Sequence, residues 1–172
     1  MQRLTEGNLR SLTRGGEAKR IRTAREGQHP YAVVVCCSDS RVIPEKIFDA
    51  DIGELFVIRV AGNVLGAHQL GSIAYAVEHL GTRTVVMLGH TGCGAVAAAL
   101  NGHADGFVAS IVQDIRAAIG TEGDPNRACE LNVRHGVNRI REAFADEPIE
   151  VLGAVYDIET GKVDWLNGSF AM

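Results

Sequence analysis

The sequence predicts an α/β fold, a mostly parallel sheet of about four strands with an antiparallel edge strand, flanked by helices and preceded by an N-terminal helical arm. Three observations predict it. The runs Tyr31 to Cys37, Leu55 to Val60 and Thr84 to Gly89 are continuously apolar and rich in β-branched residues, as strands covered on both faces are. Segments with helical spacing separate or follow them. A final run, Val151 to Ile158, meets the turn Glu159-Thr-Gly161-Lys and a short return, Val163 to Leu166, which reads as a hairpin at the sheet edge.

Taken in order, residues 2 to 26 are charged, with sparse apolar positions at Leu4, Leu9, Leu12 and Ile21, and predict one or two helices with little to bury alone. Such an arm is expected to pack on another subunit. The first strand follows Pro30. Ser72 to Leu80 predicts a helix between the second and third strands. Phe107, Ile111, Ile115 and Ile119, with Val108 and Val112, mark an amphipathic helix, and Val133, Val137, Ile140 and Phe144 mark another. At 172 residues the chain has the length of one domain, with 1–26 as the arm and 27–172 as the core.

Composition excludes several classes of function. Lys plus Arg number 17 against 21 for Asp plus Glu, and no basic block stands out, so nucleic acid is not an expected partner. No apolar stretch approaches the roughly 20 residues that span a bilayer, and the opening MQRLTEGNLR lacks the apolar run of a secretory signal. The expectation is a cytoplasmic protein with no membrane contact. Cysteines at 36, 37, 93 and 129, two of them adjacent, make a poor disulfide framework and point to metal or thiol chemistry.

Two loops follow two of the apolar strands, Cys37-Ser-Asp39-Ser-Arg41 and His90-Thr-Gly-Cys93-Gly94. In an open parallel sheet the carboxyl ends of strands converge on one crevice, so these distant residues meet there. Cys37, His90 and Cys93 then form a Cys2His set suited to zinc, with a fourth position left for water or for Asp39. Each loop alone reads as well as a small core cysteine and a chance spacing; the combination is specific. Cys36 and Cys37 face opposite sides of the strand, so only one reaches the crevice. Arg41 offers a rigid donor fork that would hold the Asp39 carboxylate away from a metal.

With these residues assembled, the chain resembles the β-class carbonic anhydrases, whose Cys-x-Asp-x-Arg and His-x-x-Cys motifs it carries at 37–41 and 90–93. The resemblance extends to Gly27-Gln28, Gly53-Glu-Leu-Phe56, Arg59-Val-Ala-Gly-Asn63, Tyr75-Ala-Val with Glu78-His-Leu, and Gly153-Ala-Val-Tyr-Asp157. It implies reversible hydration of CO2 to bicarbonate and a proton, with one zinc per chain held by Cys37, His90, Cys93 and, in a closed form, Asp39. It implies Asp39 and Arg41 as catalytic residues. It also implies a substrate pocket of Gln28, Phe56, Tyr75 and the Gly94 backbone, with Gln28 from the neighbouring subunit, and an obligate homodimer, or a higher homo-oligomer, with exchanged arms. Some members carry a Trp three residues before the first ligand cysteine, serving a non-catalytic bicarbonate site; here that position is Val34.

Charge counting gives a mechanism of its own. Zn2+ with two thiolates and a neutral imidazole sums to zero, and a bound hydroxide makes the centre negative. Zinc in a three-histidine site lowers the pKa of its water toward about 7. Two thiolates weaken that effect, so activity is expected to favour alkaline pH. Hydrolysis of carbonyl sulfide or carbon disulfide is the alternative on the same site. Gly92-Cys-Gly94-Ala-Val-Ala97 also fits a dinucleotide-binding turn, but the required acidic strand end does not follow. A non-catalytic zinc or thiol sensor would leave the Asp39 and Arg41 pair unexplained.

Overall fold

The computed structural model describes residues 1–102 and 104–166, so residues 103 and 167–172 of the expected core lie outside the described residues. The sheet has five strands, β1 (Ala32–Cys36), β2 (Leu55–Arg59), β3 (Thr84–His90), β4 (Glu150–Tyr156) and β5 (Val163–Trp165), in the order β2-β1-β3-β4-β5. The first four run parallel and β5 pairs antiparallel with β4, as the runs of β-branched residues and the terminal hairpin predict.

The helices are α1 (Gln2–Leu12), α2 (Glu17–Glu26), α3 (Pro44–Ile47), α4 (Ala67–His79), α5 (Gly94–Asn101), α6 (Val108–Ile119) and α7 (Pro125–Ala143). Two of them start earlier than the periodicity predicts. α4 begins at Ala67, where the Gly66 N–H donates to the Gln69 side chain, and α7 begins at Pro125, where the Asp124 carboxylate accepts the Arg127 N–H at 2.8 Å. Phe107 does not join the buried stripe of α6: it precedes the helix and its side chain is fully exposed. α1 and α2 bury no residue, and α2 is held to the core mainly by Lys19, 2.7 Å from Glu54.

Alternation along β1 divides the core. Val33 and Val35 pack with Ile73 and Val77 of α4 and with Val133, Val137 and Ile140 of α7. Val34 and Cys36 face the other side with Val42, Val86 and Leu88. Cys37, one step past the strand, joins a third cluster formed by α5, α6 and the start of α7. After β1 the chain turns back toward β2 at one edge, while after β3 it leaves toward β4 at the other. The chain therefore leaves the adjacent carboxyl ends of β1 and β3 in opposite directions, and a crevice opens outside them.

α7 lies close enough to β3 that Gly89 has no room for a side chain, since a Cβ there would stand 2.5 Å from Val133 Cγ2. Val133 is β-branched and cannot swing aside easily. Gly89→Ala is expected to destabilise the protein by about 1–3 kcal/mol through overpacking. Chemical denaturation checks it: the midpoint should fall with the slope unchanged, and an unchanged midpoint would show that α7 shifts freely.

Candidate metal centre

Cys37 follows β1, His90 ends β3, and Cys93 caps the N-terminus of α5. The pairing of Cys36 with Leu88 brings Cys37 alongside the Gly89–His90 end of the neighbouring strand. One ligand atom from each of Cys37, His90 and Cys93 lies within 4.8 Å of the others, and all three residues are buried.

The histidine is prepared for a metal. Its Nδ1 lies 2.9 Å from the Thr91 carbonyl, and as donor there it leaves Nε2 with its lone pair free. Nε2 is buried and has no hydrogen-bond partner among the described residues. A buried nitrogen acceptor without a donor costs free energy unless something else fills that role, and a cation does. Thr91 is itself fixed, its N–H donating to the Tyr156 carbonyl and its hydroxyl accepting from Ile158 N–H. Two sulfurs and one imidazole nitrogen form a donor set that suits zinc.

The cysteines differ in the way the register predicts. The hydrogen bond from the Cys93 thiol lowers the Cys37 pKa most, with further support from the backbone N–H groups of Asp39 and Gly62. Cys36, on the opposite face, is pushed up to about 12 by burial, and Cys129, behind the site on α7, to about 11 by the same cause. Cys37 is thus the thiol of β1 disposed to be a thiolate.

Asp39 and Arg41 meet above the cluster. Asp39 Oδ1 accepts from Arg41 Nε and N–H, each at 2.9 Å, and Oδ2 accepts from Nη2 at 2.7 Å. The same Nη2 reaches the Gly92 carbonyl at 3.3 Å, tying the two loops together. Arg41's hydrogen bonds hold the Asp39 carboxyl well below the usual carboxylate range.

Three groups behind this constellation carry no signal in the motifs themselves. Arg59, at the end of β2, donates from Nη2 to the Asp39 carbonyl at 2.6 Å and from Nε to the Cys37 carbonyl at 3.2 Å, pinning the loop that carries both residues. The Gly62 N–H donates to Cys37 Sγ at 3.2 Å. Cys129 Sγ–H donates to the His90 carbonyl at 3.2 Å. Arg59 and Gly62 fall in a stretch already singled out in the sequence, but their roles depend on how β2 and the turn after it fold back on β1.

The remaining expected site residues are placed apart within one chain. Gly94 opens α5 beside Cys93, where its N–H lies at the positive helix end. Phe56 pairs with Val33, four residues and therefore about 13 Å along the strand from Cys37. Its ring centroid is 6.2 Å from that of Tyr75. Gln28 is exposed, ahead of β1 at the same end of the sheet. Gln28, Phe56 and Tyr75 thus gather toward the amino end of β1, away from their own chain's cysteine pair.

Comparison with known proteins places this geometry. A family model described as carbonic anhydrase matches residues 32–163. Carbonic anhydrase 2 of Mycobacterium tuberculosis is 36% identical over 153 residues, covering 79% of this chain and 74% of that protein. A Coccomyxa β-carbonic anhydrase solved in complex with acetazolamide has a TM-score of 0.82 at 28% identity, covering 95% of this chain and 84% of that one. The tetrameric β-carbonic anhydrases of Sordaria macrospora give a TM-score of 0.77 at 26% identity, covering 97% and 94%.

Proposed function

Because this chain belongs to the β-class carbonic anhydrase family, enzymes of the lyase class, we propose that it hydrates CO2 reversibly to bicarbonate at one zinc ion per chain held by Cys37, His90 and Cys93. The observation that carries the reading is the buried, unpartnered Nε2 of His90 beside two cysteine sulfurs. Zinc, when bound, would supply the Lewis acidity that lets a water give up its proton far below the pH that bulk water requires.

The chain's own residues supply the rest. Arg41 holds the Asp39 carboxylate in place with three donors, so that Asp39 can accept one hydrogen from the reacting water and aim the oxygen lone pair at carbon. The Gly94 N–H, at the positive start of α5 beside Cys93, would stabilise the negative charge that grows on the substrate oxygen. Gln28, Phe56 and Tyr75, with the Gly94 backbone, form the substrate pocket, Phe56 and Tyr75 giving its apolar side. Because the three side chains stand away from their own chain's cysteines, a second copy of the chain presents them, and the functional unit is a homodimer or a larger assembly. The tetrameric neighbours support self-association. Zinc content measured together with stopped-flow CO2 hydration tests the whole reading; a zinc-loaded protein without hydration activity would overturn it.

The same reading assigns 1–172 to one zinc domain, with 1–26 as an arm across the subunit boundary. Among the described residues no helix is long and apolar enough to cross a membrane. The four cysteines are free thiols, the state that a reducing cytoplasm maintains, and we place the protein there. Leu4, Leu9, Leu12 and Ile21 are exposed on α1 and α2 and need a partner surface. Deletion of residues 1–26 should therefore weaken association and lower activity together, as sedimentation and hydration assays would show. A fully active monomer would refute the arm's role.

A further inference from the structure

The Gly62 N–H bond to Cys37 depends on the backbone conformation at Gly62. Gly62 has a left-handed backbone, φ +66°, and a Cβ there would lie 2.7 Å from Ile115 Cδ1 and 2.9 Å from Ala95 Cβ, so only glycine fits. Glycine leaves the orientation of its peptide groups poorly defined. Its carbonyl, however, accepts a hydrogen bond from Asn132 Nδ2 at 2.9 Å. Asn132 is on α7, far away in sequence, and only 4% exposed. Asparagine inside a helix is unfavourable because its amide competes with the backbone, and burying it adds a desolvation cost, so its position here is explained by a partner.

One turn earlier on the same face of α7, Cys129 donates to the His90 carbonyl. α7 therefore contacts the backbone behind two different candidate ligands. The small recess next to Asn132, where Asn63, Asp114, His135 and Arg139 meet Leu65 and Met87, has about 10 Å³ of space, enough for one water and too little for a substrate. A second binding site is not what these polar residues serve.

We infer that Asn132 is a positioning residue of the metal centre: by holding the Gly62 carbonyl, on the peptide that follows, it restrains the backbone at Gly62 and so keeps the Gly62 N–H, on the peptide before, directed at Cys37 Sγ, which sets how much charge that sulfur gives to the metal. The inference rests on Cys37 being a metal ligand. A hydrogen bond to a ligating sulfur withdraws charge from it, and partners at this remove from a metal commonly change affinity by about 10–100-fold. The alternative, that Asn132 merely satisfies a buried carbonyl, predicts no effect on the metal.

The test uses the full chain, isotope-labelled with nitrogen and carbon and loaded with NMR-active cadmium in place of zinc. Two couplings across hydrogen bonds are expected in the unaltered protein, one between the Asn132 side-chain nitrogen and the Gly62 carbonyl carbon, the other between the Gly62 amide and cadmium through Cys37 Sγ. Asn132→Ala and the similarly shaped Asn132→Asp should each lose the second coupling. They should also bind zinc about 10–100-fold more weakly in chelator competition, and shift the sulfur-to-metal charge-transfer band of the cobalt-loaded protein. Cadmium bound through sulfur without either coupling in the unaltered protein overturns the inference, whether or not the variants fold. Folded variants with unchanged zinc affinity and an unchanged cobalt band overturn it as well. A protein that takes up no cadmium overturns instead the assignment of Cys37 as a ligand, and the inference with it.

Discussion

Cys37→Ala is expected to lose nearly all its bound zinc and, with it, CO2 hydration, while Cys36→Ser keeps both. The two residues are neighbours, and ordinary thiol chemistry does not separate them. The structure does. Cys36 lies among Val34, Val42, Val86 and Leu88 on the far face of the sheet, and burial holds its thiol protonated up to about pH 12. Cys37 shares a cluster with Cys93, accepts a hydrogen bond from the Gly62 amide, and lies within 4.8 Å of the His90 and Cys93 donor atoms. Removing one of three protein ligands leaves a two-point site, and zinc bound by two groups exchanges readily. Metal analysis after dialysis checks the pair of variants. Retention of zinc by Cys37→Ala, or its loss from Cys36→Ser, would mean that β1 is displaced by one residue, which turns every side chain to the opposite face.

Arg41→Ala is expected to keep its zinc yet lose most activity, on the order of 10²-fold or more, because the carboxylate that orients the reacting water loses its anchor. Two side-chain hydrogen bonds from Arg41, Nε to Oδ1 and Nη2 to Oδ2, hold Asp39 beyond what the backbone N–H of residue 41 provides. Without them the carboxylate, two residues from Cys37, is free to take the fourth position on the metal and close the site. The pH dependence follows in sign. The Asp39 pKa is depressed by Arg41, so Asp39 is ionised throughout the neutral and alkaline range, and the stabilisation it draws from the pair is lost only as pH falls below the usual carboxylate range. In Arg41→Ala the pKa returns toward 3.8, still leaving an anion at neutral pH to compete for the metal. Acid should favour the closed form, since hydroxide becomes scarce while Asp39 stays charged. X-ray absorption at acid and alkaline pH reads the shell directly, and two sulfurs, one nitrogen and a water at every pH in this variant would refute the closure.

The strands and the cluster of Cys37, His90 and Cys93 were legible because both rest on local signals. Continuous Val and Ile runs mark strands covered on both faces, and a strand's carboxyl end locates the residues that follow it, so Cys37, His90 and Cys93 could be brought together from their distance past β1 and β3. The alternation of Val34, Val35, Cys36 and Cys37 even separated the two cysteines. Asn132 was not legible, because an asparagine in a helix reveals its partner only once the helix is seated on the sheet, and that seating is fixed by Gly89 and Val133 on different elements. Arg59 was quoted as part of a familiar stretch, yet its hold on the Cys37 and Asp39 carbonyls follows from the parallel pairing of β2 with β1. The rings of Phe56 and Tyr75 lie 6.2 Å apart, centroid to centroid. Their distance from the cysteines appears only when the register is laid out.

The crevice between β1 and β3 also places the proposed ligands on two stretches of chain with all of β2 and α4 between them. A metal held at both ends closes that stretch into a covalent-like ring. By analogy with a disulfide across a loop of this size, such a closure would remove about 4 kcal/mol of chain entropy from the unfolded ensemble, to the extent that the unfolded chain keeps its metal. Zinc would then restrict the unfolded polypeptide as a clasp across the stretch that carries the edge strand β2.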